Sequence, residues 1–283
     1  MIYLLFAIVS SAMVSLTMRL SERYIRNNMV MFAVNYGACL ALARCFMRDG
    51  AFLVLEPGIE AAVGLGVLCG ILYLVNFVLL QTSMRYNGVV LSSTFMKLGV
   101  LVPTAMAVVI FRERPEILQM LGMAMALAAI IMIHFDQNTD QGMLDSAKRS
   151  GLLLLLLLVS GFTDSMANVY DKAGLPVFKE HYLFYTFLAA LLASLVMAAK
   201  NKKQVEAADL FFGLLIGIPN YFSARFLLLA LGKLPAVIVY PVYSTATIVL
   251  ISAVSAAAFR ERISRRKRAA LCLIVFALVL LNL

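Results

Sequence analysis

The four residues Phe111-Arg112-Glu113-Arg114, which stand between two long apolar stretches, decide the fold of this chain because they occur twice. They return 148 residues later, again between two apolar stretches, as Phe259-Arg260-Glu261-Arg262. Other landmarks match at the same offset or at one residue less, namely Tyr73 with Tyr221, Phe95 with Tyr243, and Gly66-x-x-x-Gly70 with Gly213-x-x-x-Gly217. Since these matches fall in separate apolar stretches, they indicate an internal repeat.

The composition places this repeat in a membrane. Hydrophobic residues make up 63% of the 283 residues and charged residues 14%, whereas soluble domains have about 45–50% and 25%. A bilayer core about 30 Å thick needs a helix of about 20 apolar residues. The sequence contains ten such segments, at 2–20, 29–47, 61–84, 87–111, 115–134, 150–171, 182–199, 208–232, 235–259 and 266–283. We therefore predict an all-α integral membrane protein with ten transmembrane helices, called segments 1 to 10 below.

The repeat divides the ten segments into two halves of five. We predict one membrane transporter domain, 1–283, composed of a first five-helix repeat at 1–135, a linker at 136–149 and a second five-helix repeat at 150–283. Because five is an odd number, the second half would cross the membrane in the opposite sense, as in the inverted repeats of many secondary transporters. In that arrangement the substrate site lies near the midplane of the bilayer.

The net charge of +9 predicts an orientation. The odd-numbered connections between segments hold fifteen Lys and Arg residues and the even-numbered ones hold seven. The positive-inside rule assigns the more basic side to the cytoplasm, so both termini are expected outside it, in a multi-pass protein of the cytoplasmic membrane. We interpret the basic run at 260–268 as a contact with lipid headgroups and expect no nucleic acid partner.

A five-plus-five repeat with a Glu-Arg turn before the last helix of each half resembles the EamA-type branch of the drug/metabolite transporter superfamily. The residues that carry the resemblance are 102–114, Leu121-Gly122, 235–241 and 259–264. The resemblance implies a transporter of small molecules in which segments 1, 3, 4, 6, 8 and 9 line a central cavity and segments 5 and 10 act as scaffold. Several members have both termini in the cytosol, opposite to the charge count here.

Three ionisable residues inside the predicted spans are candidates for function, because a charge in a bilayer is costly. They are Lys97 in segment 4, Asp164 in segment 6 and Arg225 in segment 8. One interpretation makes Asp164 and Arg225 a permanent ion pair between helices, and Lys97 a side chain that extends to the headgroups. The other makes all three members of a substrate site, with Asp164 as the candidate residue for coupling transport to an ion.

Uncharged polar residues follow these charges at helical spacing, as expected for the wall of a polar cavity. The predicted substrate-binding residues besides the three charges are Tyr73, Asn76, Asn168, Asn220, Tyr221, Tyr240, Tyr243 and Ser244. A single Ser or Thr in a membrane helix more often binds a neighbouring helix, so this alternative stays open for each stripe. Prolines at 103, 219 and 241 are expected to permit kinks beside the cavity.

Other motifs favour structural roles. Glu113 and Glu261 are predicted to stabilise the turns of the repeated motif, where helix N-termini and arginines can hold a carboxylate. The acidic linker at 136–142 only imitates a calcium loop, and the four cysteines lack the spacing of a zinc site. The chain has no His-Glu-x-x-His or Gly-x-Ser-x-Gly motif. We expect no metal, no cofactor and no enzyme activity.

The charge inside the spans predicts the substrate class. Two cations against one anion sum to +1, which favours a small polar metabolite with a carboxylate, most simply an amino acid, moved by alternating access. An exporter of cationic amines or drugs is the alternative within the same class. A membrane-embedded receptor or enzyme that uses the same central pocket is the alternative from another class. The sequence leaves the oligomeric state, the direction and the coupling ion open.

Overall fold

The fold is known from a computed structural model that describes residues 1–21, 24–47, 56–87, 92, 95–96, 98–134, 146–200, 204–258, 269, 272–273, 276–277 and 279–280. In these ranges all regular elements are helical. The α-helices are α1 (Ile2–Ser21), α2 (Asn28–Phe46), α3 (Ile59–Asn87), α4 (Leu101–Val109), α5 (Ile117–His134), α6 (Ser146–Ala173), α7 (Lys179–Lys200), α8 (Ala207–Leu231) and α9 (Ala236–Ala258). A 3-10 helix, Pro176–Phe178, precedes α7.

These helices follow the first nine predicted segments. The described part of the chain is all-helical in its regular structure, and the protein is a multi-pass integral membrane protein. Within the described ranges, five helices are long and apolar enough to cross a bilayer, and α1 and α9 contain shorter apolar helices. The count of ten spans and the inverted order of the halves stay predictions. Most of segment 10, together with Lys97 and Glu261, lies outside the described residues.

Helix contacts divide the chain into two compact units that do not coincide with the two predicted repeats. Unit 1 contains Met1–Leu74 and Met166–Lys233, and unit 2 contains Val75–Ser165 and Leu234–Leu283. Each unit therefore takes residues from both sequence halves. Two of the boundaries between the units fall inside α3 and α6, so each of these helices contributes one part to each unit.

Unit 1 is held together by close helix crossings at glycines. Gly66 and Gly70 bring α3 against α7, and Gly213 and Gly217 bring α8 against α2. At each of these four glycines, an added Cβ atom would overlap two atoms of the facing helix, a backbone carbonyl oxygen and the Cβ atom of the residue three positions later. The two facing residues are Tyr182 and Tyr185 at Gly66, Thr186 and Ala189 at Gly70, Met31 and Val34 at Gly213, and Asn35 and Ala38 at Gly217. Small residues allow backbones to approach in this way where lipid provides no hydrophobic drive for association.

The two crossings have the same contact pattern, although their helices come from different halves. In each, a helix with the Gly-x-x-x-Gly motif from one half packs on a helix from the other half. The repeat that the sequence indicated is thus also a repeat of packing within unit 1. Its consequence is that close contacts at glycines hold α3 against α7, and α8 against α2.

In unit 2, a turn interrupts segment 4 ahead of its proline. Gly99 and Val100 form this turn, and α4 begins at Leu101. Pro103 clashes with the carbonyl of the residue four positions earlier, which is Gly99, so the helix breaks where the clash would occur. The same turn packs closely on Gly161 of α6. Pro103 therefore lies in the first turn of a helix. The sequence analysis had instead expected it to kink the interior of a helix.

The Phe-Arg-Glu-Arg turn ends α4 and connects it with α9. Arg112 has a φ of 52°, an uncommon left-handed conformation that reverses the chain. The Val237 N–H donates to Glu113 Oε2 at 2.9 Å, so this carboxylate accepts one of the free N–H groups at the start of α9. This contact gives a physical basis to the structural role that was predicted for Glu113.

We expect leucine at Gly70 or at Gly217 to destabilise the protein by about 1–3 kcal/mol or more, because it overpacks a crossing made of backbone. The measurement is thermal unfolding of the purified protein in detergent, followed by circular dichroism. Gly64→Leu is the matched control, since no atom of the part of the chain that the structure describes lies within 4 Å of the place that its Cβ would occupy. If all three variants melted together, the crossings would not limit stability.

Candidate functional site

The predicted site residue Arg225 lies in an ion pair in unit 1. Its Nε atom is 2.7 Å from Oε1 of Glu180, and the Tyr221 hydroxyl donates to Oε2 of the same carboxylate at 3.0 Å. Arg225 and Tyr221 share one face of α8, one turn apart, whereas Glu180 belongs to the first turn of α7. Both oxygens of the carboxylate are therefore bound by α8.

Aromatic rings complete this cluster. The guanidinium carbon of Arg225 lies 4.2 Å from the centroid of the Phe46 ring, a cation–π contact. Phe46 also stacks on Tyr221, with centroids 5.7 Å apart, and meets Phe222 edge to face. The side chains of Arg225 and Glu180 are 22% and 21% exposed, so the pair is largely sheltered and still accessible from one side. We call Phe46, Glu180, Tyr221 and Arg225 the arginine cluster.

A second ion pair lies beside the arginine cluster. Lys179 Nζ is 2.7 Å from Asp171 Oδ1, and the two side chains are 17% and 12% exposed. Gly232 at the end of α8 leaves room for this ammonium group, because a Cβ there would overlap Lys179 Nζ. Two consecutive residues of α7 thus hold the end of α6 and the end of α8. A helix N-terminus also favours a carboxylate such as that of Glu180.

Other predicted site residues of unit 1 make contacts between helices. The side-chain amide of Asn220 donates to Oδ1 of Asn35 at 3.2 Å, which joins α8 to α2. Tyr73 lies edge to face with Tyr36, at 6.4 Å between centroids. For Asn220 the contact matches the alternative in which a polar residue binds a neighbouring helix.

Unit 2 contains the second group of predicted site residues. The Tyr240 hydroxyl donates to the backbone oxygen of Asp164 at 2.7 Å, so α9 is bound to α6. Asp164 itself is exposed, while Tyr243 and Ser244 are partly buried on α9. The sequence argument considered Asp164 as the ion-pair partner of Arg225. The structure instead gives Arg225 an ion pair with Glu180.

Some polar atoms of the described residues are buried without a hydrogen-bond partner. Among them are Asn168 Nδ2 in unit 1, and Asn76 Oδ1 and Thr247 Oγ1 in unit 2. Leaving such an atom unsatisfied costs about 1–3 kcal/mol. Asn76 and Asn168 were both predicted to bind substrate, and each offers a hydrogen-bonding atom that a bound solute or a water molecule would satisfy.

The sequence argument missed Glu180 and Phe46. Glu180 lies just before the predicted start of segment 7, and Phe46 is one of many apolar residues in segment 2. Nothing in their spacing along the chain relates them to Arg225. Adding Glu180 also corrects the charge argument, because the sum of +1 over Lys97, Asp164 and Arg225 becomes zero.

Two family models match the chain. The model of the EamA-like transporter family matches residues 1–135, and the model of the Small Multidrug Resistance protein matches residues 181–274. Both models describe transporters, one matching in each half of the chain, and together they support a membrane transporter of the drug/metabolite superfamily. The resemblance carried by the repeated Glu-Arg turn is therefore confirmed.

Comparison of structures agrees with this fold. Twenty-eight chains of solved structures match the transporter. One of them, a crystal structure of a protein with 12% sequence identity, superposes with a TM-score of 0.78 over 99% of this chain and 94% of the other. At this identity the likeness shows a shared fold. No curated protein matches the transporter in sequence.

We expect the ion pair of the arginine cluster to contribute measurably to stability, since both side chains are mostly sheltered. In a double-mutant cycle of Glu180→Gln and Arg225→Gln, the two changes should be coupled by about 1–2 kcal/mol. The control is the same cycle for the exposed pair Arg26 and Glu206, at 72% and 39% exposure, where screening by water should give a smaller coupling. Additive effects of Glu180→Gln and Arg225→Gln would contradict the pairing.

Proposed function

We propose that this transporter moves a small carboxylate-bearing solute, most simply an amino acid, across the cytoplasmic membrane. The observation that supports this most is the sheltered, accessible guanidinium of Arg225. A guanidinium has five N–H donors in a planar fork that matches a carboxylate. The ion pair with Glu180 engages Nε, so the terminal nitrogens provide the geometry for a second carboxylate.

The solute would use both partners of the ion pair. Its carboxylate binds Arg225 and its ammonium group binds Glu180, so that a neutral pair of side chains accepts a neutral zwitterion. This exchange keeps each charge paired at every step, which matters because an unpaired charge in a low-dielectric site is costly. In this proposal Glu180 is the anion that binds the solute, and Asp164 stays the candidate residue for coupling to an ion.

Further residues are proposed to complete recognition. Asn168 belongs to the same unit as Arg225 and has a buried amide group, Nδ2, that can donate to the solute. Lys97 remains a second candidate for a carboxylate. The polar residues Tyr73, Asn76, Tyr240, Tyr243 and Ser244 remain candidates for which the flux assay below is the test.

Movement is proposed to follow alternating access between two inverted repeats of five spans. The equivalent glycine crossings of α3 on α7 and α8 on α2 support a structural repeat. Pro219 and Pro241 lie inside α8 and α9, where a proline removes a backbone hydrogen bond and permits bending. Two halves with the same packing and flexible helices suit the exchange of two related conformations.

One observation favours a second candidate, an organic cation. Glu180 is a carboxylate, and the rings of Phe46 and Tyr221 lie beside it, with a cation already held over the Phe46 face. Carboxylates and aromatic faces together recognise quaternary ammonium groups. In this alternative the cation would displace Arg225 from Glu180, and Arg225 would have no contact with the solute.

The test begins with a thermal-shift screen of the purified transporter against amino acids, carboxylic acids and quaternary amines, because a ligand of the native state raises its melting temperature. The strongest ligand is then used for flux into proteoliposomes. We expect an amino acid as the ligand, a loss of flux of at least about tenfold in Arg225→Gln, corresponding to about 1.4 kcal/mol, and partial flux in Arg225→Lys. Arg26→Gln, which removes an exposed arginine, should retain full flux.

Several results would overturn the proposal. Full flux in Arg225→Gln would remove Arg225 from the site. A quaternary amine as the strongest ligand, with flux that depends on Glu180 and not on Arg225, would establish the second candidate. A ligand that binds the protein in liposomes without crossing the bilayer would indicate a receptor or an enzyme.

A further inference from the structure

A groove lies between α2 and α7 of unit 1, apart from the arginine cluster. Its volume is about 590 Å³, within the range of about 300–1,000 Å³ for pockets that hold small organic ligands. The lining residues are apolar except for a single arginine and a tyrosine: Gly37, Leu40, Ala41, Arg44, Phe184, Tyr185 and Leu188. Neither Arg225 nor Glu180 contributes to this wall.

The groove exists because two small residues face it. Gly37 and Ala41 lie one turn apart on α2, and no atom of the described residues lies within 4 Å of the place that a Cβ at Gly37 would occupy. By contrast, atoms of α2 occupy the space that a Cβ at Gly213 or Gly217 would need. Glycine weakens the interior of a helix relative to other residues. Gly37 has no close helix crossing to explain it, and its effect is to keep the groove open.

Among the described residues that line the groove, the charged one, Arg44, is at one end. Arg44 lies two turns after Gly37 on the same face of α2, in the last turn of that helix. A transmembrane helix ends near the lipid headgroups, where an arginine extends its charged group toward them. The groove thus has an apolar floor of about two helical turns and a positive charge where the headgroup region begins.

We propose that this groove binds an anionic phospholipid, with an acyl chain along Gly37, Leu40 and Leu188 and the phosphate at Arg44. Charge complementarity selects this occupant, because basic pockets between membrane helices bind anionic headgroups. The apolar floor selects an acyl chain over a polar solute. The bound lipid would bridge α2 and α7, the two helices on which the glycine motifs pack.

The experiment is native mass spectrometry of the full chain, purified in detergent and incubated with phosphatidylglycerol or with zwitterionic phosphatidylcholine. We expect one retained phosphatidylglycerol and a preference for it over phosphatidylcholine of at least several-fold. Arg44→Gln should abolish the preference. Gly37→Leu should abolish retention of the lipid by filling the groove, while Gly64→Leu, at an equally open position on α3, should bind as the unchanged protein does.

Folding is controlled in the same samples, since both leucine variants should melt within a few degrees of the unchanged protein. Equal retention of the two lipids by the unchanged protein would overturn the proposal. So would a preference that persists in Arg44→Gln, or lipid binding that persists in Gly37→Leu. A dimer lost in Gly37→Leu, without bound lipid in the unchanged protein, would assign the groove to a second copy of the chain.

Discussion

Helices in a bilayer have no hydrophobic force to bring them together, and this constraint shapes the whole of unit 1. Lipid tails are as apolar as leucine, so helices associate through close backbone packing and through polar groups that need partners. The four glycines at the crossings supply the backbone packing. These crossings pack α3 on α7 and α8 on α2. In the same unit, the first turn of α7 meets α8, where the carboxylate of Glu180 binds Arg225.

We propose that the first turn of α7 combines a structural role with a functional one. Lys179 binds Asp171 of α6, and Glu180 binds Arg225 and Tyr221 of α8. The two ion pairs differ in their surroundings. The pair of Glu180 is more exposed and lies against aromatic rings, which suits a group that exchanges partners. An arginine that is paired when the site is empty is stable in the membrane, and a solute with both charges can replace the pairing without leaving a charge alone.

The sequence was sufficient for the parts of the structure that depend on local pattern. Apolar segments located the helices, and the repeated Gly-x-x-x-Gly motif located both crossings. Arg225 was also recognised from the sequence, because a charge inside a membrane span is costly. Its partner was not, because Glu180 and Phe46 meet Arg225 only through the way α2, α7 and α8 cross. The close packing of Gly99 on Gly161, in the turn before Pro103, is likewise a contact that the local pattern does not reveal. The two compact units were unpredictable because α3 and α6 each contribute to both.

The central claim is that Arg225 exchanges Glu180 for the carboxylate of the solute, and exchanging the two charges tests it most directly. The variant Glu180→Arg with Arg225→Glu keeps an ion pair between α7 and α8 but moves the guanidinium to the other helix. Its melting temperature and its flux of the amino acid are measured in the same preparation. The account predicts a melting temperature restored toward that of the unchanged protein, with flux still lost. Restored flux would contradict it, because the pair would then act only as a link between helices.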